Sequence, residues 1–242
     1  MKPIVVLATR NKDKVKELLD LLPDLPIDFK TLNDFPGAPE VTEDADTLEE
    51  NAAKKAKSAA LYCGRWALAD DTGLEVDFLG GKPGVLSARY AGPDCSYADN
   101  NRKLLAALDG VPYEKRTARF RCAVALASAG GSTVIMEGRL EGFITREPLG
   151  SRGFGYDPVF AAAVSGAPPE RGQGPARTLA ELSPSEKNAV SHRAAAIRKI
   201  IPYLRRLPAT QPGAPSPNNS ADPPPAENGR RANGSAFGGK AV

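Results

Sequence analysis

Two adjacent carboxylates constrain this chain more than any other feature. Asp70 and Asp71 follow a short apolar run, Trp66-Ala67-Leu68-Ala69, and precede Thr72-Gly73 and a second alternating run, Leu74-Glu75-Val76. The apolar run between turn signals reads as a buried strand with the carboxylates at its end. Charges at such a place cost free energy unless something pairs with them. A divalent cation is one such partner, because Mg²⁺ takes hard oxygen ligands together with phosphate oxygens. An ordinary Asp-Gly turn is the alternative.

Composition narrows the field. One histidine, His192, in 242 residues excludes a histidine-rich metal centre and routes any Ser–His–Asp or Cys–His mechanism through a single ring. Cys63, Cys95 and Cys122 are scattered and suggest neither a disulfide framework nor a thiolate zinc site. A net charge of +3 is too small to argue for nucleic acid. No apolar run reaches the ~20 residues of a membrane span, and the start of the chain lacks a signal-peptide pattern, so a cytoplasmic protein is expected.

Pro3–Ala8 reads as a buried strand, and Val15–Leu22 repeats apolar residues at helical spacing. Between them lies Thr9-Arg10-Asn11-Lys12-Asp13-Lys14, a polar loop at a helix N-terminus, where free N–H groups attract phosphate. A plain connection with an Asn or Asp cap is the alternative. Ile27–Leu32 reads as a strand and is followed by a loop holding Glu40, Glu43 and Asp44. Thr47-x-x-Glu50 has the capping-box form and opens an Ala-rich helix whose stripe is Leu48, Ala52, Ala56 and Ala59. Asn51 and Lys55 share one face of it.

Tyr97–Leu108 reads as a helix with apolar positions 97, 104, 105 and 108. Ala118–Ala127 and Thr133–Glu141 read as paired strands around Ser128–Gly131. In Gly153-Phe154-Gly155-Tyr156-Asp157, glycines beside an aromatic allow a flat ligand to approach the backbone while the ring stacks on it, unless the rings are simply core. Ser183-Pro184-Ser185-Glu186 caps the last helix. Lys187 and His192, five apart, do not share a face of one straight helix, so joint contact with a ligand requires a break between them. Segment 165–177 reads as a flexible Gly/Pro insert and 209–242 as a disordered tail beyond a domain spanning 1–208.

Together these segments are specific. Thr9-x-Asn11-x-x-Lys14, Glu50-Asn51-Ala52-x-x-Lys55-Ala56, Ala69-Asp70-Asp71-Thr72-Gly73-Leu74, Gly80-Gly81-x-Pro83-Gly84, Ser87-Ala88-Arg89-Tyr90, Gly153–Asp157 and Ser191-His192-Arg193 occur in that order. The chain resembles the inosine/xanthosine triphosphate pyrophosphatase family over Met1 to Leu207. The resemblance implies an elongated α/β fold with two lobes around a long mixed sheet flanked by helices. It also implies Mg²⁺-dependent hydrolysis of ITP, dITP and XTP to monophosphate and pyrophosphate, and a homodimer without membrane or nucleic-acid partners. By motif, Asp71 becomes the general base and a metal carboxylate, with Asp70 beside it and Glu43 a further metal candidate. Thr9, Arg10, Asn11, Lys12, Asp13, Lys14 and Lys55 become triphosphate ligands, and Thr72 a substrate contact. Phe154, Gly155, Tyr156, Asp157, Lys187, His192 and Arg193 hold base and nucleotide. The family often has Gly at Arg10, Ser at Thr72 and paired Glu at Thr42-Glu43. Rival readings are a pyrophosphatase for pyrimidine or other nucleotides, and a non-catalytic nucleotide- or RNA-binding protein.

Overall fold

The computed structural model describes residues 2–22, 24–163 and 177–208. The segment 209–242, expected from the sequence to be a disordered tail, lies outside these residues, as does the expected insert 165–177 except for Arg177, which pairs with Glu186.

One mixed sheet carries the architecture. Its strands are β1 (Ile4–Leu7), β2 (Asp28–Thr31), β3 (Trp66–Val76), β4 (Pro83–Gly84), β5 (Thr117–Ala127), β6 (Thr133–Ile144) and β7 (Phe160–Ala162). The order is β2-β1-β3-β5-β6-β7, with β4 paired to β3. β1 runs parallel to β2 and β3, and every other pairing is antiparallel. The helices are α1 (Lys12–Leu21), α2 (Leu48–Cys63), α3 (Tyr97–Ala107), α4 (Pro184–Val190) and α5 (His192–Leu204).

Three apolar clusters pack this sheet. On one face, Leu7, Leu68 and Val124 meet Leu18 of α1 and Ile197 and Ile200 of α5. On the other, Val6, Ala67, Ala69 and Ala123 meet Leu48, Ala52 and Ala56 of α2, as its small-residue stripe predicts. At the far end of the long strands, Leu74, Phe120 and Phe160 close on Leu104 and Leu108. α5 lies hard on β6: a Cβ at Gly138 would stand 2.1 Å from the His192 carbonyl oxygen.

The sequence reading of Asp70-Asp71 needs correction. They sit neither in a turn nor at a strand end but in the middle of the eleven-residue β3. Side chains alternate along a strand, so consecutive carboxylates point to opposite faces of the sheet. β1 accompanies β3 only from Trp66 to Leu68, and β4 rejoins it at Leu74. Over the gap, which includes both aspartates, one edge of β3 has no neighbouring strand, and a cleft opens there.

A candidate nucleotide cleft at the open edge of β3

The cleft has a volume of about 340 Å³, within the usual ~300–1,000 Å³ of small-molecule sites. Loop 9–11 and Lys14 enter from the end of β1, Glu43 and Lys55 from the α2 side, and Phe154–Asp157 with Lys187, His192 and Arg193 from the far side. Asp71 and Thr72 form part of its lining. The structure thus brings together most of the expected site residues. It leaves out three: Lys12 and Asp13 are exposed in the first turn of α1, and Asp70 is buried behind the lining.

The loop after β1 is built by Asn11. Its side-chain oxygen caps α1, accepting from the backbone N–H groups of Asp13 (2.9 Å) and Lys14 (3.2 Å). Thr9 Oγ1 accepts from the Asn11 N–H at 3.2 Å. The cap reading and the phosphate-loop reading are therefore compatible. Arg10 donates to the Ala38 carbonyl at 2.6 Å, tying this loop to the next.

On the α2 face, Lys55 Nζ donates to Asp71 (2.8 Å) and Glu43 (2.6 Å). Burial pushes the Asp71 carboxyl above the usual carboxylate range; Lys55 pulls it down and Glu43 pushes it up again. Burial pushes the Lys55 ammonium down, yet Asp71 and Glu43 hold it above its ordinary value. Glu43, not Glu40, is thereby tied to Asp71. Asn51 does not reach the cleft; its side chain accepts from the Ala45 N–H.

On the opposite face, Asp70 Oδ2 takes Lys14 at 3.2 Å and Arg193 Nη2 at 3.0 Å. Burial opposes ionisation, but the Lys14 and Arg193 cations hold this carboxyl far below the usual range. Arg193 also donates to Thr72 Oγ1 at 3.2 Å. Glu17, on α1, accepts from both Lys187 and Arg193. Sequence reasoning missed Glu17; its i, i+3 spacing from Lys14 was the available signal.

The Ser191 joint answers the spacing problem. Ser191 ends α4 and its hydroxyl caps α5, accepting from the Ala194 N–H at 3.2 Å. The helix breaks there, and Lys187, His192 and Arg193 converge. Lys187 pairs with Asp157 (2.6 Å) as well as Glu17. Asp157 also accepts from the Phe154 N–H at 2.9 Å, shaping a turn in which a Cβ on Gly153 would meet its carboxylate at 2.0 Å. Tyr156 is buried and donates to the Ser87 carbonyl, a strut rather than an exposed ring. His192 is buried and stacked on Phe120 at 4.5 Å. Burial, then the Arg193 and Lys187 cations, push its pKa well down, so the ring is neutral. Lys187 and Arg193 lie over the Phe154 ring at 5.0 and 5.6 Å.

Fold and cleft define an α/β protein with a carboxylate- and cation-lined site at the open edge of a mixed sheet. The Ham1 family model matches residues 5–203, and the chain belongs to that family. It is 50% identical over 200 residues to a protein of Geobacter sulfurreducens named dITP/XTP pyrophosphatase, covering 83% of this chain and 96% of that one. A solved HAM1 protein from Coxiella burnetii matches with a TM-score of 0.73 and 40% identity, covering 86% and 100% of the two chains. A Mycobacterium abscessus structure titled nucleoside-triphosphatase / dITP/XTP pyrophosphatase matches at 0.65 and 42%, covering 84% and 100%. Among the described residues no helix is long and apolar enough to cross a membrane.

Proposed function

We propose that this protein hydrolyses the non-canonical purine nucleoside triphosphates ITP, dITP and XTP to the monophosphate and pyrophosphate. One observation carries the reading: a carboxylate with a raised pKa, Asp71, opens onto the same cleft as an aromatic ring framed by glycines, Phe154. The names of relatives about half identical over nearly their whole length support it.

Asp71 takes the proton of the attacking water, a role suited to a carboxylate whose pKa lies above its ordinary value. Lys14 and Lys55, with the Thr9–Asn11 loop, hold the triphosphate. Phe154–Asp157, Lys187, His192 and Arg193 hold base and nucleotide, and Thr72 contacts the substrate beside Arg193. The 6-oxo group of the base is an acceptor where adenine has a donor, so buried donors facing it reject adenine. The donor set fits Mg²⁺: two hard carboxylates, Asp71 and Glu43, share one ammonium, and Mg²⁺ sites commonly use one or two carboxylates plus substrate phosphates. Asp70 is not among these ligands, since cations already surround it on the other face. Bound there, Mg²⁺ would neutralise charge on the phosphate oxygens. Lys12 and Asp13 act only through the first turn of α1. The active unit is a homodimer in the cytoplasm, built on a 1–208 catalytic domain.

The test is pyrophosphate release from ITP, XTP, GTP, ATP and dTTP with Mg²⁺ and with EDTA. Mg²⁺-dependent release from ITP and XTP, with little from GTP and ATP, is expected. Release chiefly from dTTP would favour the pyrimidine reading, and none at all would favour a binding protein. Sedimentation would settle the dimer.

A further inference from the structure

Tyr97 is the first residue of α3 and one of the apolar positions of that helix. It lines the cleft with 41% of its surface exposed. Two contacts define its place. Its ring leans on Phe154, centroids 5.9 Å apart and planes 39° apart. Its hydroxyl accepts from Asn11 Nδ2 at 2.9 Å. The orientation of the Asn11 amide is fixed independently, because its oxygen is committed to the α1 cap and only the nitrogen can face Tyr97. This hydrogen bond therefore joins the loop after β1 to the aromatic side of the cleft.

We propose that Tyr97 is the second wall of the base slot, and that its bond to Asn11 makes phosphate binding and base stacking interdependent; this rests on the nucleotide reading given above. Tyr97, Lys187 and Arg193 all pack against the Phe154 ring. Lys187 and Arg193 are buried and ion-paired, whereas Tyr97 is exposed and tethered through its hydroxyl. A flat base that stacks on Phe154 displaces Tyr97 at least cost. A base held between two parallel rings needs centroids about 7 Å apart, twice the ~3.5 Å contact distance of carbon atoms. Tyr97 must thus withdraw slightly and flatten, which parts its hydroxyl from Asn11. The freed Asn11 amide, beside Thr9 and Lys14, becomes a phosphate donor. Adding phosphate first releases the ring, and adding base first releases the amide.

The experiment is titration of the full chain, with Mg²⁺, using IMP and inorganic pyrophosphate as separate probes, on wild type, Tyr97→Ala and Tyr97→Phe. Loss of the ring in Tyr97→Ala should weaken IMP roughly tenfold, the scale of one base–aromatic stack. Both variants free the Asn11 amide, so pyrophosphate should bind roughly two- to fivefold tighter in each. Tyr97→Phe should hold IMP at least as well as wild type. Opposite signs for the two probes cannot come from a loosened helix. Equal weakening of both probes, or unchanged IMP binding in Tyr97→Ala, overturns the inference while ITP turnover by wild type leaves the nucleotide reading standing. Wild type that releases no pyrophosphate from ITP overturns both.

Discussion

Asp70 and Asp71 are neighbours in sequence and opposites in chemistry. On one face of β3, Asp70 concentrates two cations on a single oxygen and is fixed as an anion. On the other, Asp71 shares one lysine with a second carboxylate and is raised towards protonation. Burial penalises both; the ratio of cations to carboxylates around each decides the direction. A strand, by alternating its side chains, lets one dipeptide supply a structural anchor on one face and a reactive group on the other.

The comparison can be broken experimentally. The largest effect is expected for Asp71→Asn: turnover of ITP should fall roughly 100- to 10,000-fold. Its unfolding free energy should stay within about 1 kcal/mol of wild type, because a neutral amide relieves a buried charge. Near-wild-type turnover would remove Asp71 as base. Asp70→Asn should do the reverse on stability, losing roughly 3–5 kcal/mol in urea unfolding, since Arg193 and Lys14 lose a buried partner. An Asp70→Asn protein as stable as wild type would erase the distinction between the faces.

Glu17→Gln tests the cluster behind Asp70. It weakens two charge-assisted hydrogen bonds, so KM for ITP should rise roughly three- to tenfold with a smaller change in kcat. A purely unstable protein with unchanged KM would argue against orientation of Lys187 and Arg193. The smallest effect is in pH. Asp70 has a folded pKa below its unfolded value of about 3.9. Its contribution to stability is therefore complete above that value and lost as pH falls below it. Asp71, raised in the fold, works the other way: its ionisation costs stability at neutral pH, and protonation recovers it. The acid limb of the stability profile should flatten in Asp70→Asn and persist in Asp71→Asn.

Much of the site was legible because its signals are local. A strand, a polar hexapeptide and a helix announced the Thr9–Lys14 loop, and the five-residue spacing meant that Lys187 and His192 could meet one ligand only across a break. The Asp pair was misplaced because two carboxylates inside a strand mimic turn composition; only tertiary cations make that conformation affordable. Glu17 was missed because its partners lie on α4 and α5, far away in sequence, and its i, i+3 spacing from Lys14 was the only local hint. Tyr97 matched the apolar stripe of α3, and nothing local distinguishes a ring facing core from one facing a cleft.

The ion pairs around the cleft bear on what the protein ignores. Lys14, Lys55, Lys187 and Arg193 each already face a carboxylate. A basin of free cations would draw in RNA, heparin and any stray polyphosphate by long-range attraction alone. Here each of these four cations is held by a carboxylate, so a visitor gains less by being merely anionic. It must offer a shape that rearranges those pairs, which makes the pairing itself a form of selectivity.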